Sequence, residues 1–273
     1  MSIILNTYKA KEVMEGAGVL VNRVFGYYET KEFDPFLMLD YFETDTDTES
    51  PGFPWHPHKG METISYFLRG GGEHQDSMGN KGVIGAGELQ WMSAASGVMH
   101  QELPVRTKGG YQGFQFWVNL PASQKLKDPS YQYIKKGEMK SSIVDGVEVK
   151  VISGSYNNVL GPIIKDDLGI TMLHVIMEPN TTFKTTRDSN KHGFLFIFEG
   201  HGTLNKKDIK EKTAYTLGSG ELVLESKDKK VQFIYAEGTP LREPIAWRGP
   251  IVMNTQDELL ETFRDLQNGT FGK

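Results

Sequence analysis

The sequence predicts an all-β fold, and two observations carry that reading. Thirty glycines and twelve prolines cut the chain into short segments, as repeated tight turns require. The segments between them are short, aromatic and β-branched, which suits a pleated, half-buried surface. A sandwich or barrel is the expected architecture. At 273 residues the chain has room for two domains of ordinary size.

The elements follow in chain order. "GFPWHPHKGMETISYFLRGGG" (52–72) holds His56 and His58 one proline apart, then the strand-like run "ETISYFL" (62–68) and a glycine turn. "GAGEL" (85–89) marks another turn, and "MHQE" (99–102) sets His100 and Glu102 two apart. "FQFWVNL" (114–120), "FLFIF" (194–198) and "VQFIY" (231–235) read as further strands. "SYFLRGGG" (65–72) before "GAGEL" is echoed by "LFIFEGHG" (195–202) before "GSGEL" (218–222). The turn-to-GxGEL spacing is 15 residues from Gly70 to Gly85 and 18 from Gly200 to Gly218. The echo suggests a duplicated β domain, with chance recurrence of a common turn as the alternative. The expected division is 1–133 and 134–273.

The last element breaks the β pattern. "NTQDELLETFRDLQNG" offers Thr255 as N-cap with Glu258 completing a capping box. Leu259, Leu260, Phe263 and Leu266 would line one helical face, and Gly269 would end the helix. This helix is expected to pack on the second domain.

Composition narrows the function. The net charge of −5 gives no general attraction to a phosphate backbone, so direct nucleic-acid binding is not expected. With no cysteine, disulfides and thiolate metal sites are excluded, and any metal must take nitrogen and oxygen ligands. No secretory signal is visible, and no apolar run approaches the ~18 residues of a membrane helix. The expected compartment is the cytoplasm.

In a strand, residues i and i+2 project to one face. His56 and His58 on one strand, and His100 and Glu102 on a neighbour, could converge inside a barrel. Three imidazoles and a carboxylate suit a divalent transition ion with positions left open, and suit calcium poorly. The dull reading of a single H-x-H is an exposed turn; the second pair downstream favours the metal. His74 and Asp76 in "EHQDS" are the rival pair or outer supports, and Glu62 is a candidate hydrogen-bond acceptor. His174, His192 and His201 are expected to be structural or exposed. Phe53, Trp55, Met61, Trp91, Met92 and Met99 would supply apolar walls or plain core. Aligning the echoed motifs sets His56, His58, His100 and Glu102 against Thr186, Asp188, Phe233 and Tyr235, so one metal is expected, in the first half alone.

"GFPWHPHKGMETISYFLRG" resembles the first cupin motif, and "GAGELQWMSAASGVMHQE" resembles the second in the form used by pirins. "DPFLMLDYF" (34–42), "QFWVNLP" (115–121) and "PLREPIAWRGPIVMNT" (240–255) are also similar to pirin signatures. The resemblance covers nearly the whole chain. It implies a bicupin of two stacked antiparallel jelly-roll β-barrels with one metal, usually iron, in the N-terminal barrel. Its ligands fall on His56, His58, His100 and Glu102. Lys59, Met61 and Ser96 depart from residues common in relatives, which bears on substrate or partner and leaves the ligand set intact. The resemblance also implies two functions. One is a dioxygenase that opens a flavonol such as quercetin with loss of carbon monoxide, with Glu102 as ligand and general base. The other is an iron-dependent regulator binding a transcription factor or metabolic enzyme, in the nucleus as well as the cytoplasm if the source is eukaryotic. A monomer is expected.

Overall fold

The computed structural model describes residues 3–45, 50–105, 108–163 and 168–272. It is a bicupin built almost wholly of antiparallel strands, and its contacts separate two compact units. One unit comprises Glu12–Tyr28, Phe36–Lys136 and Arg242–Lys273; the other comprises Met1–Lys11, Glu29–Pro35 and Gly137–Leu241. No helix among the described residues is long and apolar enough to cross a membrane.

The first of these units holds a seven-stranded and a four-stranded sheet. The larger runs in the order Ser130–Ile134, Leu89–Ser93, Met61–Arg69, Tyr111–Asn119, Phe36–Thr44, Val19–Phe25, Lys11–Glu15. The smaller runs Phe53–His58, Val98–Pro104, Gly72–Asp76, Lys81–Ile84. Ile64, Tyr66, Phe114, Phe116 and Leu39, from the three central strands of the larger sheet, are fully buried. Each aromatic or aliphatic side chain hidden this way contributes about 1.5–3 kcal/mol.

The other unit repeats this order strand for strand. Its larger sheet runs Ile4–Lys9, Thr213–Leu217, His192–Glu199, Val231–Gly238, Thr171–Met177, Val147–Ser153, Ser141–Val144. Its smaller sheet runs Thr182–Arg187, Gly220–Ser226, Gly202–Leu204, Lys207–Ile209. The duplicated topology is thus present, but the division at 133/134 is not how the chain is grouped. The edge position held by Ser130–Ile134 in one barrel is held in the other by Ile4–Lys9, which pairs with Thr213–Leu217.

The C-terminal helix also changes place. It spans Gln256–Asn268, with the capping box at Thr255 and Glu258 and Gly269 left-handed at φ 68°. Its Leu259 packs with Ala246, Ile251 and Met253, so the helix belongs to the N-terminal barrel and not to the second domain. Leu260 is 49% exposed and Thr262 is buried in its stead, its hydroxyl donating back to Glu258 O at 2.8 Å.

The ladders correct the alignment of the two halves as well. "GAGEL" precedes the strand Leu89–Ser93, whereas "GSGEL" follows Thr213–Leu217 and opens the next strand. The motif is turn chemistry recurring one strand out of step. Val98 pairs with His58 as Gly220 pairs with Arg187, and Pro104 pairs with Gly72 as Ser226 pairs with Gly202. Both anchors give the same offset. His56, His58, His100 and Glu102 therefore correspond to Thr185, Arg187, Leu222 and Leu224, in place of Thr186, Asp188, Phe233 and Tyr235. Leu222 and Leu224 are core residues, and the buried Arg187 guanidinium donates to the carbonyls of Leu217, Gly218 and Lys191. In the second barrel an arginine held by backbone oxygens stands where the first barrel has a histidine.

Candidate metal centre

His56 and His58 project from one face of Phe53–His58, and His100 lies directly across from His56 on Val98–Pro104. The third strand, Gly72–Asp76, sets Asp76 opposite His100 and His74 opposite Glu102. The ladder between the first two strands shifts register between His100 and Glu102, so Glu102 faces Phe53. A bulge of this kind re-aims a side chain. All six polar residues share one face of the four-stranded sheet.

The three histidines meet at their Nε2 atoms. His56 Nε2 is 3.1 Å from His58 Nε2 and 2.9 Å from His100 Nε2. His56 Nδ1 lies 2.7 Å from Pro54 O, and His58 Nδ1 lies 3.2 Å from Pro250 O. A carbonyl only accepts, so both Nδ1 atoms carry the proton and both Nε2 atoms present bare lone pairs. Two lone pairs 3.1 Å apart repel unless a cation stands between them. Protonation of His58 or His100 is disfavoured. Burial, then the neighbouring His56, holds His58 well below the ordinary imidazole pKa, and burial followed by His58, His56 and His74 does the same for His100. Two nitrogens at right angles on an ion about 2.1 Å away stand about 3.0 Å apart, so the spacing fits a first-row metal.

The fourth expected ligand sits slightly apart. Glu102 groups with His74 and His100, while His56, His58 and His100 form their own group. Ser65 Oγ donates to Glu102 Oε1 at 2.7 Å, and Gln90 Nε2 donates to the same oxygen. His74 is buried beside His100 and stacks on Tyr131 at 4.8 Å. Its Nε2 donates to Asp76 Oδ2 at 3.1 Å, and Asp76 also receives Met78 N, Asn80 N and Asn80 Nδ2. Asp76 is thus an anchor for His74, and His74 remains a member of the second ligand group with His100 and Glu102. Glu62 accepts Trp91 Nε1 at 3.0 Å. His174 is buried against Gln232, and His201 is 48% exposed.

A cavity of about 710 Å³ opens over His56, His58 and Glu102. Trp55, Trp117, Trp247 and Tyr27 wall it, and Arg23, Glu15 and Asp40 form its polar end. Arg23 holds Asp40 through Nε–Oδ1 at 2.9 Å and Nη2–Oδ2 at 2.7 Å, and reaches Glu15 at 2.7 Å. Of the residues expected as walls or plain core, Phe53 and Trp55 line the cavity, and Met61, Trp91 and Met92 are buried core.

Sequence reasoning missed the supports that come from far along the chain. Pro250 O is 192 residues from His58. It is carried by the strand Ile251–Met253, which is clamped to the Lys59–Gly60 turn. Val252 N donates to Lys59 O at 3.0 Å, and a Cβ at Gly60 (φ +77°) would fall 1.9 Å from Val252 O. The buried Lys125 ammonium closes the clamp by donating to Gly60 O, Asn119 Oδ1 and Val252 O. The signature stretch 240–255 was the one signal pointing to this region.

Known proteins resemble this chain over nearly its whole length. The Pirin family model matches residues 18–118, and that of the pirin C-terminal cupin domain matches residues 172–272. A pirin-like protein of Caulobacter vibrioides is 36% identical, the match covering 98% of both chains. Human pirin is 35% identical over 96% of this chain and 91% of its own. The crystal structure of a quercetin 2,3-dioxygenase from Acinetobacter baumannii superposes with a TM-score of 0.91 at 30% identity, covering 100% of this chain and 99% of that one.

Proposed function

The chain belongs to the pirin family, and on that premise we propose that it is a metal-dependent dioxygenase acting on a flavonol-class polyphenol such as quercetin. The observation that carries this reading is the convergence of three imidazole nitrogens beneath a wide, aromatic-walled cavity. A metal-binding protein with no organic substrate has no need of that volume beside its ligands. The Acinetobacter structure, which bears the name of such an enzyme, adds support.

In this reading His56, His58 and His100 hold one ion per chain, iron by family expectation, with Glu102 as the fourth ligand. The ion supplies Lewis acidity that lowers the pKa of the flavonol 3-hydroxyl and leaves positions for substrate oxygens and dioxygen. Pro54 O and Pro250 O fix the tautomers, so the two imidazoles orient the centre without exchanging protons. Ser65 and Gln90 occupy Glu102 Oε1, so Oε2 is the oxygen that would both meet the ion and take the 3-hydroxyl proton. Trp117 and Trp247 offer faces for planar rings, and the Glu15–Arg23–Asp40 group can meet the hydroxyls of the far ring.

The test is an aerobic assay of iron-loaded protein that follows quercetin loss and carbon monoxide release. Glu102→Gln should keep its metal and lose turnover by about 10²-fold or more, as removal of a general base does. No turnover with iron, manganese, nickel or copper, alongside metal-dependent capture of a protein partner, replaces the enzyme with the regulator.

A further inference from the structure

A file of aromatic rings joins the histidine cluster to the surface. His58 meets Trp117 edge-on with ring centroids 5.1 Å apart. Trp117 meets Trp247 at 5.6 Å, and Trp247 meets Tyr27 at 5.6 Å. Tyr27 meets Tyr28 edge-on at 5.4 Å, and Tyr28 is 90% exposed. A wall for a ligand accounts for Trp117, Trp247 and Tyr27, which line the cavity. It does not account for Tyr28, which lies outside that lining and carries the file into solvent.

Tryptophan and tyrosine are the side chains that most readily give up a single electron, and here four of them stand in unbroken contact. The two tryptophans are half-buried in the cavity wall, less open to water than the tyrosines beyond them. The tyrosines lie outward, where a phenol can release its proton to solvent as it is oxidised. Trp247 is fixed in mid-file by its Nε1, which donates to Gly249 O at 2.7 Å.

We propose that Trp117, Trp247, Tyr27 and Tyr28 form a one-electron path carrying oxidising equivalents from a redox-active metal at the histidine cluster to the protein surface. The proposal rests on the metal-holding part of the functional reading and not on the flavonol. Its chemistry balances with hydrogen peroxide as oxidant. The peroxide O–O bond breaks, the divalent metal supplies one electron and becomes trivalent, and the Tyr28 phenol supplies the other. Two waters form from the peroxide, the phenolic proton and one proton from solvent, leaving a neutral tyrosyl radical on Tyr28. A small reductant at the surface, such as a thiol or ascorbate, returns a hydrogen atom to the phenol. The path spares His56, His58 and His100 from oxidation when oxidant arrives without substrate.

The experiment treats iron(II)-loaded protein of measured metal content with one equivalent of peroxide. It reads the radical by freeze-quench electron paramagnetic resonance and maps a nitroso spin-trap adduct by peptide mass spectrometry. The expected result is a tyrosyl signal with the adduct on Tyr28 or Tyr27, persisting in excess formate, which intercepts freely diffusing hydroxyl radical. Trp247→Phe interrupts the file and should lower the adduct to the level of metal-free protein, with oxidation moving to Trp117 and the histidines. Tyr28→Phe, at an exposed position away from the cavity, should retain metal and shift the radical to Tyr27. Equal labelling of Tyr28 in Trp247→Phe, in metal-free protein, or only in the absence of formate overturns the proposal. Quercetin turnover measured on the same samples reports on the dioxygenase reading separately.

Discussion

Replacing Lys125 by methionine tests how the C-terminal segment reaches the histidine cluster. Lys125 is 1% exposed, and its ammonium donates to Gly60 O at 2.5 Å, Asn119 Oδ1 at 2.6 Å and Val252 O at 3.0 Å. Burial pulls its pKa down to about 8, so it remains mostly charged at neutral pH. Methionine keeps much of the length and volume but leaves three buried acceptors without donors. At about 1–3 kcal/mol for each orphaned group, the gross loss is roughly 3–9 kcal/mol. Removing a buried charge returns several kcal/mol of desolvation, so the expected net loss is about 3 kcal/mol. For a unit of this size each kcal/mol lowers Tm by about 2–4 °C, which gives a fall of roughly 6–12 °C. The change also frees Val252, two residues from the Pro250 carbonyl that orients His58. Losing an orienting partner of a ligand typically weakens metal binding by about 10–100-fold. Scanning calorimetry and a chelator-competition titration measure the two effects. A Tm shift under about 2 °C with unchanged metal affinity would refute the reasoning.

Elemental analysis should give one transition ion per chain, bound by the N-terminal barrel, because the corresponding positions of the other barrel are Thr185, Arg187, Leu222 and Leu224; two ions per chain would contradict this. Deleting residues 137–273 should leave an insoluble or metal-free fragment, since it removes Pro250, the Val252 clamp and the packed helix from the unit that carries the histidine cluster. A soluble, fully metal-loaded fragment would count against it. His174 is buried, which lowers its pKa from 6.5 to about 3. Between those values the unfolded chain binds the proton and the folded one does not, so its contribution to stability is full above 6.5 and falls as pH drops, by about 1.4 kcal/mol per pH unit. Urea unfolding at pH 7 and pH 5 should show a flatter dependence for His174→Gln than for the parent chain, and an identical dependence would exclude this source.

Local sequence determined what local physics controls. The aromatic, β-branched runs became strands, Thr255 and Glu258 formed the capping box, and Gly269 ended the helix with a positive φ. His56 and His58 fell on one strand face because the side-chain period of a strand is two. The same spacing argument singled out His100 with Glu102, and the fold brings His100 Nε2 to 2.9 Å from His56. Tertiary structure alone decided the partners of these pieces. Ile4–Lys9 completes the far barrel, the helix packs on the near one, and Pro250 reaches back to His58. None of these leaves a periodic trace, because an edge strand or a carbonyl acceptor is chosen by the ladder it meets and not by its own side chains. The echoed GxGEL motif misled for the same reason: it encodes a turn, while register is set by hydrogen bonds running the length of the barrel. Only those ladders place Arg187 where His58 stands in the other half, which is the ground for expecting one metal per chain.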